Sequence, residues 1–377
     1  MKIVSVVGTR PQLIKAAALS PVLRARHREV FVDTGQHYDE EMAGQFFSEL
    51  DLAAPDHALG AGGGGHGEQT GRMLLALEPV LVTERPDAVL VYGDTNSTLS
   101  GALAAAKLGM QVAHVEAGLR SFDRRMPEEL NRVVADHLSS WCFAPTPTAV
   151  ANLAAEGIRD GVVLVGDLMQ DLAARVAPTV RDPAALRPIS RRLSPGLVRG
   201  GAGLDLRSGG FLFATIHRAE NREPDALRAW VALLVRVADP ARPVVLALHP
   251  GTCVALEREG CDLGPDVIVV EPQGYRTSLA LQLHAAAVLT DSGGVQRESG
   301  WLGTPCLVLR GTTEWVEALA VSGGRMAVVG LDAELAVTVL EREAPIDRAA
   351  ALAAERAVDL SLEPAGAADA ILAALES

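Results

Sequence analysis

The chain has 377 residues, more than one core usually organises, and its 49% hydrophobic content, 21% charged content and 36 glycines describe a globular protein rich in tight turns. A net charge of −13 argues against nucleic-acid or anionic-membrane partners, which favour basic faces, so an anionic ligand would need a locally positive pocket. The opening Met1 to Val7 lacks the pattern of a secretory leader, no apolar run suits a membrane span, and the cysteines show no CxxC spacing, so a cytoplasmic protein with reduced thiols and no bound metal is expected.

Short β-branched runs then alternate with helical stretches. Lys2 to Val7 predicts a strand, Gln12 to Arg26 a helix, Val30 to Asp33 a strand, Gln69 to Glu84 a helix, Ala88 to Tyr92 a strand and Thr98 to Leu108 a helix, before strands at Val112 to Val115 and Val162 to Val165. Further on, strands are predicted at Phe211 to Ile216, Val244 to Leu248, Val267 to Val270, Ala287 to Thr290 and Cys306 to Leu309, with helices over Ala226 to Val237 and Ser278 to Ala286. Unbroken apolarity fits parallel strands covered on both faces. The alternation predicts an α/β protein of two Rossmann-like doubly wound domains facing a central cleft, over residues 1–170 and 171–360. A final helix, Ala365 to Leu375 within the segment 361–377, is expected to pack back on the first domain, and the Arg- and Gly-rich stretch from Arg187 to Gly210 reads as a linker or solvated loop.

In open α/β sheets ligands bind beyond the carboxyl ends of strands, so the residues that end strands carry the information. Gly8-Thr9-Arg10-Pro11 follows the first strand, placing Arg10 at a helix start with Lys15 just over a turn further on, where both could meet an anion. Asp94 ends the third apolar strand, before a helix capped by Asn96 or Ser97, and could itself serve as a cap. Glu116 ends the fourth, where a lone buried carboxylate is costly without a partner or a task. At Pro127-Glu128-Glu129 a favourable helix start competes with chemistry. In the second half, His217-Arg218 and His249 follow strands, the latter equally well explained as structural. Asp291-Ser292-Gly293-Gly294 runs from a strand into a helix whose uncovered amides suit a diphosphate, with Glu298 one turn beyond for vicinal hydroxyls. Gly62 to Gly65 lacks the ending of a P-loop and reads as a flexible rim.

Taken in order, Gly8-Thr9-Arg10-Pro11 through Lys15, Thr34-Gly35-Gln36-His37, Gly93-Asp94-Thr95-Asn96-Ser97-Thr98, His114-Val115-Glu116-Ala117-Gly118-Leu119-Arg120, Pro127-Glu128-Glu129-Leu130-Asn131-Arg132, His217-Arg218-Ala219-Glu220-Asn221 and Asp291-Ser292-Gly293-Gly294-Val295-Gln296 resemble the UDP-N-acetylglucosamine 2-epimerases over nearly the whole chain. The resemblance implies a glycosyltransferase-B-like arrangement, usually a homodimer, with the nucleotide held mainly by the second domain and no cofactor. Residue by residue it assigns Asp94, Glu116, Glu128 and His217 to catalysis, and Arg10, Lys15, Gln273, Ser292, Gly293, Gly294 and Glu298 to holding a UDP-sugar substrate. Such enzymes expel UDP from C1 as C2 loses its proton, forming a 2-acetamidoglucal, then add UDP back with the opposite configuration at C2.

Two positions depart from the commonest bacterial pattern. Trp315 in Thr312-Thr313-Glu314-Trp315 stands where arginine is usual, and Ser278 falls where an aromatic is common near the uracil. A modified UDP-sugar, such as a 2,3-diacetamido uronic acid, is therefore an alternative substrate. Gln36-His37-Tyr38-Asp39-Glu40-Glu41-Met42 also differs from the version tied to activation by substrate. Rival readings are a hydrolysing epimerase, a glycosyltransferase of the same fold and a UDP-sugar sensor without turnover; the clustered carboxylates argue against the last two.

Overall fold

A computed structural model of the chain describes residues 1–36, 47, 49–187, 189, 206–313, 319, 322, 324–342 and 366–377. Trp315, His37 to Met42 and most of the stretch between Arg187 and Gly210 lie outside the described residues. The chain divides into two compact units, one made of Met1–Leu172 with Glu363–Ser377 and the other of Ala173–Leu362.

In the first unit β1 (Lys2–Val7), α1 (Arg10–Arg24), β2 (Arg28–Asp33), β3 (His57–Ala58), α2 (His66–Glu84), β4 (Ala88–Tyr92), α3 (Asn96–Lys107), β5 (Gln111–Val115), α4 (Pro127–Leu138), β6 (Trp141–Ala144), α5 (Pro147–Ala155) and β7 (Val162–Leu164) follow one another. All the strand pairs are parallel, in the order β3-β2-β1-β4-β5-β6-β7. The apolar runs bury both faces, as in β1, where Ile3, Val4, Val6 and Val7 are wholly buried. After β1 the chain goes to β2 on one side, and only later returns to β4 on the other. This reversal is the topological switch point of a doubly wound sheet.

Helix α6 (Leu168–Val176) leads into the second unit, built from β8 (Leu212–Ile216), α7 (Pro224–Val237), β9 (Val244–Leu248), α8 (Pro250–Glu259), β10 (Val267–Val270), α9 (Tyr275–His284), β11 (Ala287–Thr290), α10 (Gly293–Trp301), β12 (Cys306–Val308), β13 (Met326–Val328) and α11 (Ala333–Arg342). Its strands are also parallel, ordered β10-β9-β8-β11-β12-β13, so the switch point lies between β8 and β11. Trp230 on α7 fills the core here, its indole N–H donating to the Asn221 carbonyl at 2.9 Å. The final helix α12 (Ala367–Leu375) lies against α1 in the first unit. Among the described residues, no helix is long and apolar enough to cross a membrane.

Candidate functional site

The switch point of the first unit is assembled from three strand ends. Thr9 starts α1 in extended backbone, and Gln12 reaches back to accept from the amides of Gly8 (2.8 Å) and Thr9 (3.1 Å) while donating to the Tyr92 carbonyl (2.8 Å), which ties the β1 turn to the end of β4. Arg10 is the first residue of α1 and is half-buried. Lys15, one turn along, is buried, and its ammonium pairs with the Glu116 carboxylate. That pair lies over Gly93, where a Cβ would stand 3.2 Å from Glu116 Oε2 and 3.4 Å from Lys15 Nζ; Gly93 also has a φ of +61°. The carboxylate of Asp94 pairs with Arg132, whose other guanidinium nitrogen donates to Glu129 at 3.1 Å. Burial works to lower the Arg132 guanidinium, but Asp94, Glu129 and Glu116 outweigh it and hold it above its ordinary value.

One expectation about this region is corrected. The side chain that caps α3 is Thr95, accepting from Thr98, not Asn96 or Ser97: Asn96 donates to Gln69 (2.7 Å) and Ser97 to Gln36 (2.6 Å). Glu116 stands immediately after β5, as the expected strand end at Val115 requires, in the left-handed region at φ +72°, a conformation that costs a residue with a Cβ roughly 1–2 kcal/mol.

Glu128 stands apart from this cluster. It is exposed in the first turn of α4 and makes no hydrogen bond or ion pair among the described residues. Its neighbour Glu129 is buried instead, accepting from the Ser121 amide and hydroxyl and the Phe122 amide, each at 2.9 Å. Sequence reasoning did not single out Glu129 or Arg132; their spacing of three residues on a helix was the available signal.

In the second unit the switch point is organised by Asp291, which is fully buried. Its carboxylate accepts from the amides of His217 (3.1 Å) and Arg218 (3.0 Å) and from Asn221 Nδ2 (2.7 Å), and His217 Nδ1 lies 3.1 Å from Oδ1. Burial would raise this carboxyl, but His217, the Arg218 amide and Asn221 prevail and hold it below its ordinary value. The His217 side chain is 48% exposed, so with Nδ1 turned to Asp291 the ring presents Nε2 outward. Ser292 caps α10, whose first residues are Gly293 and Gly294; first-turn amides have no partner within their own helix, and the helix dipole adds positive character there. Glu298, a turn further on, is buried and accepts from Gln282 Nε2 at 2.7 Å. Gln273 is buried and donates to the Glu271 carbonyl at 2.6 Å, and Ser278 is buried on α9. His249 caps α8, accepting from the Gly251 amide at 3.2 Å. Gly62 and Gly63 are less free than a flexible rim, since Arg72 donates to both carbonyls.

Each unit therefore offers cations and carboxylates, or a histidine and helix amides, at a parallel-sheet switch point. Paired carboxylates suit proton transfer and a cationic sugar centre, while His217 and the α10 amides suit a diphosphate. Among the described residues, no group of three or more His, Cys, Asp and Glu could hold a metal ion.

Comparison with known proteins places this geometry. The family model for UDP-N-acetylglucosamine 2-epimerase matches residues 22–357. The UDP-2,3-diacetamido-2,3-dideoxy-D-glucuronate 2-epimerase of Pseudomonas aeruginosa is 44% identical over 343 residues, covering 89% of this chain and 90% of that protein. The UDP-N-acetylglucosamine 2-epimerase of Methanocaldococcus jannaschii is 40% identical over 353 residues, covering 90% and 92%. A crystal structure of the M. jannaschii enzyme in complex with UDP-GlcNAc and UDP superposes with a TM-score of 0.84 at 34% identity, over 100% of this chain and 99% of that one. By sequence and by fold, the chain belongs to the UDP-N-acetylglucosamine 2-epimerase family.

Proposed function

We propose that this protein interconverts UDP-N-acetylglucosamine and UDP-N-acetylmannosamine by eliminating and re-adding UDP, without a cofactor. The observation that carries the reading is the first-unit cluster, in which Asp94 and Glu116 are fixed by Arg132 and Lys15 at the end of adjacent strands. The C2 proton of a glycoside is not acidic, so it can leave only as the C1–O bond breaks. One of Asp94, Glu116 and Glu128 takes that proton, the C2–H electron pair becomes the C1=C2 bond, and the C1–O pair departs with UDP. Returning the proton to the opposite face while UDP re-adds inverts C2. Carboxylates stabilise the oxocarbenium-like centre, and His217 with Arg10 and the α10 amides stabilises the departing diphosphate. In this reading Lys15, Gln273, Ser292, Gly293, Gly294 and Glu298 hold the substrate, with Glu298 accepting from the ribose hydroxyls.

The test is proton NMR in deuterated water with UDP-N-acetylglucosamine. Deuterium entering C2 together with intact UDP-N-acetylmannosamine supports the reading; free N-acetylmannosamine with UDP makes the enzyme hydrolysing instead. Asp94→Asn and His217→Ala should stay folded and lose turnover by at least about 100-fold, and an unchanged rate in either removes that residue from the mechanism.

A second reading has its own support. The Pseudomonas relative at 44% identity acts, by its name, on a diacetamido uronic-acid nucleotide, and Trp315 of this chain departs from the arginine usual in the commonest bacterial pattern. Turnover of that nucleotide with none of UDP-N-acetylglucosamine would decide for it. We place the enzyme in the cytoplasm, which fractionation of the source cells tests, and as a homodimer, which light scattering of the purified protein tests.

A further inference from the structure

Behind the Asp94 turn lies an ionic quartet, buried except for Glu156 at its outer end, to which the proposed reaction gives no step. His114, fully buried on β5, has Nε2 2.7 Å from the Gly93 carbonyl oxygen and Nδ1 2.6 Å from Asp136 Oδ1. The other oxygen of Asp136 receives Arg120 Nη1 at 2.7 Å and the Gly118 amide at 3.1 Å. Arg120 also grips Glu156 with Nε at 2.7 Å and Nη2 at 2.8 Å. Asp136 is the ion-pair partner of the buried Arg120 guanidinium, and with the Gly118 amide also donating to it, it is ionised and accepts only. A peptide carbonyl also only accepts. Both ring nitrogens of His114 must then supply protons, which makes the ring an imidazolium. The charges close, His114 and Arg120 against Asp136 and Glu156, with Cys142 beside them held neutral because burial and Asp136 push its thiol up to about 12.

We propose that the His114–Asp136 pair is a positioning device for the epimerisation: the imidazolium clamps the Gly93 carbonyl and so fixes the turn from which Asp94 projects and over which Glu116 lies. The inference rests on giving Asp94 and Glu116 the chemistry described above. Gly93 is held on both sides, its amide donating to the Val115 carbonyl at 2.9 Å and its carbonyl taken by His114. The next carbonyl, that of Asp94, accepts from Asn131 Nδ2 at 2.9 Å. Without the clamp the turn has one anchor fewer where the reacting carboxylate must be placed to within a fraction of an ångström.

The experiment compares wild type with His114→Gln, which cannot satisfy both partners at once. Expected are a kcat lower by about 10- to 100-fold, with KM and the calorimetric Kd for UDP within about twofold of wild type, because substrate binding is not the step disturbed. In parallel, ¹⁵N NMR of histidine-labelled wild type should show one ring with both nitrogens protonated at pH 7, lost in His114→Gln. An unchanged kcat in a folded His114→Gln, or neutral-imidazole shifts for His114, would overturn the proposal. Should the variant not fold, the wild-type ring shifts still decide against or for the imidazolium clamp. A wild type that turns over no UDP-sugar removes the functional reading instead, and leaves the ring shifts as the separate test of the quartet.

Discussion

Asp291 shows how one buried side chain organises a site that sequence reading locates but does not explain. It accepts from two consecutive amides, from Asn221 and from His217 Nδ1, so no edge of the carboxylate is spare. An asparagine would turn an N–H₂ group towards donors that already point at it, leaving at least one unsatisfied at a cost of about 1–3 kcal/mol. Asp291→Asn should therefore lower Tm and, by freeing the tautomer and angle of His217, reduce kcat on the order of 10² to 10⁴, checked by steady-state kinetics on folded protein. The pH sign follows from the direction of the shift. A carboxyl held below its unfolded-state value contributes stability that is complete above that value, near ~3.9, and is lost as pH falls towards the lower folded value. The Tm gap between wild type and Asp291→Asn should accordingly shrink as pH is lowered below about 5; a gap that widened would contradict this assignment. Strand-end position made Asp94, Glu116 and His217 legible, because a polar residue closing an apolar run stands out. Glu128 and Glu129 were not separable in the same way. Both suit the start of α4, and only the fold of the 121–122 loop reveals that Glu129 is the buried partner and Glu128 the exposed one.

At the level of elements, the turns after β4 and β5 hold the geometry. Gly118 sits at φ +82°, and a Cβ there would meet the Ala149 carbonyl oxygen at 2.3 Å and Leu153 Cγ at 2.9 Å. Backbone on a neighbouring helix cannot move aside cheaply. Gly157, also left-handed at φ +87°, has nothing within 4 Å of the equivalent position, so it isolates the backbone term. Gly157→Ala should cost about 1 kcal/mol and Gly118→Ala at least about 3, measured by urea unfolding; equal costs would mean that the α5 contact yields without penalty. The strands themselves were largely legible, since β1, β4, β9, β10 and β11 have the limits expected from their apolar runs. The sheet strand β6 was not, because Trp141-Cys142-Phe143-Ala144 is short and carries no β-branched residue, yet it is inserted between β5 and β7 by the register of Ala113 with Trp141 and Cys142 with Val162. Tertiary pairing overrides a weak local signal there.

At the scale of the molecule, the repeated alternation of strand and helix made the doubling of the fold readable, while the way the first unit is closed depends on contacts far apart in sequence. The carboxylate of Asp171 accepts from the amides of Gly366 (2.8 Å) and Ala368 (2.9 Å), capping α12 from across the chain, where no local capping side chain is present. Ala367, Ala368, Ile371, Leu372 and Leu375 turn their apolar face inward, and Arg26 pairs with Glu376 at 2.9 Å beside α1. The large aliphatic side chains contribute about 1.5–3 kcal/mol each in gross burial, against the entropy of ordering a short helix, while the exposed ion pair adds little. Removing residues 366–377 uncovers the surface of α1 beneath them and leaves Asp171 without its amides. The expected result is a lower Tm, with hydrogen-exchange protection lost along α1 and around Asp171 but kept in β8, β9 and β11 of the second unit. Calorimetry should still find UDP bound, though more weakly, because His217 and the α10 amides assigned to the diphosphate lie in that second unit while Arg10 lies on α1. Unchanged protection of α1 would mean that the first unit does not need its C-terminal helix, and lost protection in both units would mean that the two fold as one cooperative body.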